Sequence, residues 1–358
     1  DNTSISVTTN RKTVGDVVRN TVNFNGKTAS TEVIDEVLNE YDSNYNKNGL
    51  NSKQGAIANE ILYSKNIDET LFKYSAETVK NMQNSLSLSE IKQNTQFMKD
   101  AQGADGAWIS YQYNDAKLSL DGMSGKLKEN DVTVGVSKSI NQHKFAFGLT
   151  NKSSEWNEYF KSIAKNIDVN GLGLDLAYIY KLDNGVNLYT QAGYNHLTYK
   201  NSFNDQSANQ YSLGVGVNRK YAINDNLVFT PNIGLHYVNT DLNKFKLVDK
   251  DVNMSNLNTQ QYVLVFGTDI DYAFNKNWSA FASLNLEQDL HNKTKYDLDY
   301  AGVNVNKNDS DIGKTRFNGG LGVMYKTDNN FNVSLSANHT QGSKWKSNSG
   351  TIKLGYTF

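Results

Sequence analysis

From Gly106 to Phe358, apolar residues recur at nearly every second position, interrupted at intervals by turn formers. That period belongs to strands with one apolar and one polar face. Twelve such runs can be counted. They centre on Trp108–Tyr113, Val132–Ser137, Phe145–Thr150, Leu172–Tyr180, Val186–Tyr194, Tyr211–Arg219, Leu227–Tyr237, Tyr262–Tyr272, Trp278–Leu286, Phe317–Tyr325, Phe331–His339 and Thr351–Phe358. In the eleventh, Phe331, Val333, Leu335, Ala337 and His339 share one face, and Asn332, Ser334, Ser336 and Asn338 the other. In the eighth, Tyr262, Leu264, Phe266, Thr268, Ile270 and Tyr272 oppose Gly267, Asp269 and Asp271, with Val263 and Val265 as apolar exceptions. Many runs begin or end in Tyr, Trp or Phe.

Ahead of Gly106 the pattern is different. Residues 1–30 mix short alternating pieces with turn residues such as Asn25-Gly26, and read as the remnant of a longer exported segment. Over 31–85 the spacing is helical: Val33, Ile34, Val37, Leu38 and Tyr41, then Ile57, Ile61 and Leu62, then Leu71, Ala76, Val79 and Met82. Asn66 with Glu69, and Ser87 with Glu90, form capping-box patterns. The Ser87 box predicts a separate helix over 86–101, about 20 Å long. Its apolar stripe is thin (Leu88, Ile91, Met98), and Lys92, Gln93, Asn94, Thr95, Gln96 and Lys99 make the rest polar. A helix polar almost all round is a poor soluble-core helix. It suits either a polar barrel lumen or a solvated linker.

The connections between the twelve runs alternate short and long. The short ones are Ser139–His143, Lys181–Gly185, Ala222–Asn226, Phe274–Asn277 and Lys326–Asn330. The long ones are Lys117–Glu129, Asn151–Asp168, Lys200–Asn209, Asn239–Thr259, Asp289–Gly313 and Thr340–Gly350. Short turns on one rim and long loops on the other is the layout of an outer-membrane barrel, with periplasmic turns and extracellular loops. A soluble sandwich of twelve strands would need apolar residues on its inner faces. Here one face is rich in Gly, Asn, Ser and Asp.

Composition fits this picture. The chain of 358 residues has 21 Tyr, 15 Phe and 26 Gly but a single proline, Pro231, as long ladders require. Pro231 is expected off a ladder position or at a bulge. The mean hydropathy is −0.61 and no apolar run could form a transmembrane helix, but alternating barrel strands average out to such values. With 36 basic and 37 acidic residues, charge gives no argument for a nucleic-acid partner, and without cysteine there is no disulfide or thiolate site. The chain starts at Asp1 without a secretory leader, which predicts a mature or excised piece of an exported protein. The expected fold is all-β: a 12-stranded antiparallel outer-membrane β-barrel over 106–358, a monomer in lipid, with a luminal α-helix and a short helical N-terminal extension.

Three stretches add a resemblance. They are Glu90–Met98 followed by Asp105-Gly106-Ala107-Trp108, the Pro-containing strand Phe229-Thr230-Pro231-Asn232-Ile233-Gly234-Leu235-His236-Tyr237, and the terminus Leu354-Gly355-Tyr356-Thr357-Phe358. Together they resemble the autotransporter β-domain of Gram-negative bacteria, over roughly residues 85–358. The resemblance implies a translocator of type V secretion. It would anchor an N-terminal passenger and support its passage to the cell surface, with Leu354, Tyr356 and Phe358 as the signal read by the barrel assembly machinery. A narrow polar lumen admits one helix, so the chain before about residue 85 is expected outside it. Some members of the family cut the passenger at an Asn-Asn pair in the luminal helix. Lys92-Gln93 stands at that place, so the expectation is an uncut linker, or a cut elsewhere by a protease.

Candidate side chains are few. Inward acids Asp175, Asp269, Asp271 and Glu287 could hold the helix through Lys92 and Lys99, or serve as solvated lumen charge; Arg219 and Arg316 could pair with the same acids. Trp156, Tyr159 and Phe160 fall in a connection read as an extracellular loop, to pack over the barrel mouth or contact the passenger. His143, His196, His236, His291 and His339 have no metal-ligand spacing, and no nucleophile elbow or phosphate loop occurs. Ser212 and His236 sit on adjacent strands with nothing to set them apart. No enzyme, cofactor or metal is expected. The alternatives are a porin or small-solute channel, and less favourably a barrel phospholipase.

Overall fold

A computed structural model gives the architecture, and it describes residues 46, 67–119, 124–158, 167–200, 205–246, 252–300, 303–308 and 313–358. The strands in chain order are β1 (Gly106–Ser119), β2 (Ser124–Ile140), β3 (His143–Glu158), β4 (Ile167–Lys181), β5 (Val186–Lys200), β6 (Asp205–Arg219), β7 (Tyr221–Ala222), β8 (Leu227–Lys246), β9 (Val252–Ala273), β10 (Trp278–Tyr300), β11 (Val303–Asn308), β12 (Thr315–Lys326), β13 (Phe331–Gly342) and β14 (Trp345–Thr357). Twelve of them form a closed antiparallel wall, because β14 pairs with β1 from Gly106↔Thr357 to Leu118↔Trp345. The other two are short: β7 continues the line of β6 along β8, and β11 folds back on β10.

Each of the twelve runs read from the sequence lies in one wall strand, and the tight turns fall where expected. Asn141, Gly185 and Asn330 take positive φ of 56°, 81° and 65° in three of those turns, a conformation that Gly and Asn adopt most easily. Pro231 faces the break where the β6 ladder stops at Asn218↔Asn232 and resumes as β7 at Tyr221↔Phe229. Its missing N–H falls where no β6 partner waits.

The outer face carries a band of exposed apolar side chains, such as Phe145, Phe147 and Leu149 on β3 and Leu172, Leu174 and Leu176 on β4. Aromatic rings edge the band on both sides. Tyr194 meets Tyr211 and Tyr237 meets Tyr262 at centroid distances of 5.3 and 4.7 Å on the loop side; Trp278 meets Tyr325 and Phe331 meets Tyr356 at 4.9 Å on the turn side. These are the two interface girdles of a membrane barrel.

Much of what reads as long loop is strand. β1 continues to Ser119 and β2 starts at Ser124; β3 continues to Glu158, β8 to Lys246 and β10 to Tyr300. Above the loop-side girdle these extensions form a collar in which the faces are exchanged. Asp115, Lys126, Glu155, Asp168 and Lys200 point outward, and Leu127, Trp156, Ile167, Tyr199, Leu242 and Trp345 point inward and are buried. Trp156 is therefore not in a loop but on the inner face of β3, paired with Leu127 and Ile167; Tyr159 and Phe160 lie outside the described residues.

One helix, α1 (Ile67–Gln102), runs through the barrel. Its 36 residues make it about 54 Å long. The expected boundary at residue 86 does not exist. Ser87 is no cap; its hydroxyl donates back to the Gln83 carbonyl at 3.0 Å inside a continuous helix. The chain is buried from Thr78 onward, so part of the stretch expected outside the lumen lies inside. Residues 1–30 and the helical patterns at Val33–Tyr41 and Ile57–Leu62 lie outside the described residues.

Candidate functional site

The lumen is the site, and α1 occupies it. Two apolar contacts locate the helix. Phe97, Met98 and Ala101 cluster with Trp108, Ala146, Ala177 and Ile179. The Phe97 ring fits over Gly148, where any side chain would collide with it, and lies 6.0 Å from Trp108. Higher up, Ile91 packs with Val238, Val263 and Val265. The two valines that break the alternation of β9 thus have a reason: they meet the helix rather than water.

Polar side chains hold the rest of the helix level by level. At the top, Tyr296 Oη donates to Glu77 at 2.7 Å. Below it, Gln83 Nε2 donates to the Thr240 carbonyl at 3.2 Å and Thr259 Oγ1 to Gln83 Oε1 at 3.0 Å. Around mid-height Lys152 pairs with Glu90, Ser212 Oγ donates to the same carboxylate at 3.3 Å, and Glu129 accepts from Ser89 and from Asn114, the latter at 2.7 Å. Gln191 Nε2 donates to Asn94 at 2.7 Å. Near the turn side Lys99 pairs with Asp269 at 2.5 Å and Lys353 with Asp100 at 2.6 Å. Buried charge is costly unless it is paired or hydrogen-bonded: Glu90 is paired with Lys152 and Asp100 with Lys353, and Glu129 is held by neutral donors.

The expected site residues divide as follows. Lys99 with Asp269 is an ion pair. Lys92 instead bonds Ser347. Glu287 pairs not with the helix but with buried Arg316 at 2.9 Å, whose other nitrogens reach Asp289 at 2.5 and 2.9 Å. Asp175 accepts from Thr150 at 3.3 Å, and Asp271 lines a vestibule with Lys99 and Lys220. Arg219 points out, over the Tyr221 ring at 4.8 Å. The partners missed from the sequence include Lys353 and Asp100, in a run read as strand and in the predicted helix, and Glu129, Lys152 and Asp289. The last three fall in stretches read as loops, although each keeps the inward parity of its strand: Glu129 with Asp131 and Thr133, Lys152 with Thr150, and Asp289 with Glu287.

Below the helix a linker crosses the turn-side rim to β1. Asp105 accepts from the Ser139 N–H at 2.9 Å, from Ser139 Oγ at 2.8 Å and from Lys144 at 3.1 Å. Burial alone would raise its pKa, but these donors outweigh that and hold the carboxyl at about 2.

Little space is left. Beside the helix, between Lys92, Gln96, Glu287 and Asn318, is a cavity of about 50 Å³; the turn-side vestibule around Lys99, Asp269, Asp271 and Lys353 holds about 260 Å³. Ser212 and His236 stand two register steps apart, opposite Val238 and Gly214. Among the described residues, no group of three His, Asp or Glu side chains is placed to hold a metal. No described helix is long and apolar enough to cross a membrane; the chain crosses with strands.

A lipid-banded barrel with a polar lumen, plugged by the helix that precedes its first strand, is an outer-membrane β-barrel. Residues 106–338 match the family described as "Autotransporter beta-domain", and the chain belongs to that family: it is the outer-membrane translocator of an autotransporter, with a passenger on its N-terminal side. The structure is similar to the translocator domain of the autotransporter NalP from Neisseria meningitidis (TM-score 0.61, 16% identity, 77% of this chain and 98% of that one). It is also similar to the transport unit of AIDA-I from Escherichia coli (0.57, 13%, 78% and 99%) and to the β-domain of the Bordetella autotransporter BrkA (0.51, 13%, 72% and 100%). At these identities the likeness is one of fold. No curated protein matches the chain by sequence.

Proposed function

We propose that the barrel delivers whatever precedes Ile67 to the cell surface and then remains its anchor, with α1 as an uncut plug and stem. The direction of α1 carries this reading. Glu77 is tied at the loop side and Asp100 at the turn side, so the chain ahead of the helix emerges on the outside. The position that would carry the Asn-Asn pair of a self-cutting helix holds Lys92-Gln93, which supports an intact stem.

Further parts of the reading concern partners. Leu354 and Tyr356 face outward on the last strand and exposed Phe358 follows it, as a signal for the barrel assembly machinery would, and the apolar band is matched to outer-membrane phospholipid. A barrel that acts by anchoring and passage alone is the reading favoured here; Ser212 donating to Glu90 and standing out of step with His236 supports it.

The test is a reporter fused ahead of Asp1. Protease added to intact cells should remove the reporter, and mass spectrometry should find the barrel still joined to residues 67–102. A reporter protected until the cells are broken overturns the translocator reading. A spontaneous break within α1 overturns the uncut stem.

A further inference from the structure

The outward face of the collar is not uniform in charge. From β2 to β6 the signs are mixed: one rank of directly opposed residues reads Lys128, Glu155, Asp168, Lys200, Asp205. At the seam where the barrel closes one sign prevails. Lys117 of β1 stands opposite Lys346 of β14 on one side and Lys126 of β2 on the other, with Cα atoms about 5 Å apart in such pairs. All three point outward; Lys346 is exposed and the other two are partly so. The next outward rank toward the membrane is Asn348, Asp115 and Lys128. Asp115 pairs with Lys126 at 2.7 Å. Four lysines and one aspartate thus share six neighbouring positions on three adjacent strands. Like charges directly opposite each other weaken a sheet. An anion laid across the rank reverses that cost.

The height of the rank says which anion. Lys117 is four residues beyond Tyr113, the last exposed aromatic of β1. That is about 13 Å along the strand, and about 10 Å in height at the tilt of barrel strands. Hydrocarbon ends at the aromatic girdle, so the lysines reach the headgroup layer of the outer leaflet. In a Gram-negative outer membrane that layer is a glycolipid with phosphate groups on its sugars. From this juxtaposition we propose that Lys346, Lys117 and Lys126 form a binding site for the phosphorylated headgroup of outer-leaflet glycolipid, seated over the β14–β1 seam. The outer two lysines spring from strands about 10 Å apart, which suits a headgroup bearing more than one phosphate. A lipid held there spans the closing pair of strands from outside. The proposal goes beyond the translocator reading: it rests on the outer-membrane location and not on secretion.

The experiment titrates the whole folded protein, in nonionic detergent, with bisphosphorylated lipid A, and counts retained lipid by native mass spectrometry. Lys117→Gln/Lys126→Gln/Lys346→Gln should bind at least about tenfold more weakly than the unsubstituted protein. Lys200→Gln/Lys293→Gln/Lys295→Gln removes the same charge from outward lysines elsewhere on the collar and should change binding by less than about threefold. Equal losses in the two variants would mean that net charge alone attracts the lipid, and overturn the site. Lipid A stripped of its phosphates should not be retained; retention equal to the phosphorylated form overturns the proposal. Displacement of lipid A by phosphatidylglycerol or by inorganic phosphate at the same concentration also overturns it, because the site would then not select the glycolipid. A second measurement needs no variant to fold. Acetylation of Lys117, Lys126 and Lys346 in the unsubstituted protein should slow at least about threefold when lipid A is added, while Lys200 and Lys295 keep their rates. Equal slowing at all five lysines counts against the site as firmly as the binding result would. Neither assay involves a passenger, so lipid binding and translocation can fail separately.

Discussion

Strand β3 meets two solvents. In its lower part Phe145, Phe147 and Leu149 face outward while Lys144, Thr150 and Lys152 face inward and are buried. A few residues further up, the outward residue is Glu155 and the inward one Trp156. The hydrogen-bond ladder to β2 and β4 runs through both parts without a shift. One backbone therefore serves a membrane barrel below and a water-soluble barrel above, and the exchange of faces marks the height at which lipid ends. In the band the apolar face is held by the bilayer; in the collar it must be held by the protein's own interior.

That contrast can be broken at chosen residues. The largest effect is expected in the collar core: Trp156→Ala should lower stability by about 3–5 kcal/mol, read by denaturant unfolding in detergent, since its indole is fully buried. A smaller loss would mean that the collar is not a packed core. Next come two arginines on the outer face of β4. Leu176→Arg, in mid-band, should cost about 2–4 kcal/mol in lipid, whereas Asp168→Arg, outward in the collar, should stay within about 0.5 kcal/mol. Equal costs would remove the proposed boundary between them. Lys99→Ala should cost at most about 1 kcal/mol by the same unfolding assay, because its pair with Asp269 is partly exposed.

A further effect concerns the rim and is set by pH. Asp105 titrates at about 2 in the folded protein, below the ordinary carboxylate value of about 3.9. A depressed folded value means that its contribution is complete above the ordinary value and is lost as pH falls toward the folded one. The stability gap between wild type and Asp105→Asn should therefore be constant from neutral pH to about pH 5 and close between about pH 4 and pH 2. A gap that persists at the acid end would show that the carboxylate charge is not what latches the linker to Ser139 and Lys144.

The band was legible because its alternation has one phase. Tyr262 to Tyr272 on β9 could be read residue by residue, and the strand count follows from such runs. The collar was not legible, because an exchange of faces looks like the end of a strand. On β3 the apolar residues are odd-numbered to Leu149 and then even-numbered at Trp156, which reads as a loop when only one solvent is assumed. Glu129, Lys152 and Asp289 were lost because the stretches that hold them were read as loops, whereas Lys353 lay in a strand that was read and its partner Asp100 was not foreseen. The helix was legible in its polarity but not in its length: Ser87 with Glu90 spells a start signal, yet the serine hydroxyl finds a carbonyl one turn back. Ion-pair choice was only partly readable. Lys99 found one of the expected acids, while Arg316 beside Glu287 and Asp289 left Glu287 unavailable to Lys92.

The seam between β14 and β1 sets an order of construction. Thirteen residue pairs join the final strand to the first, from the rim up into the collar. Until those last residues are in place the sheet has two bare margins, β1 and β13, whose amides and carbonyls would face hydrocarbon with nothing to bond. β14 is thus the strand that makes the other eleven of the wall tolerable in a bilayer. A chain cut just ahead of Trp345 would keep those eleven and still have no cylinder to insert.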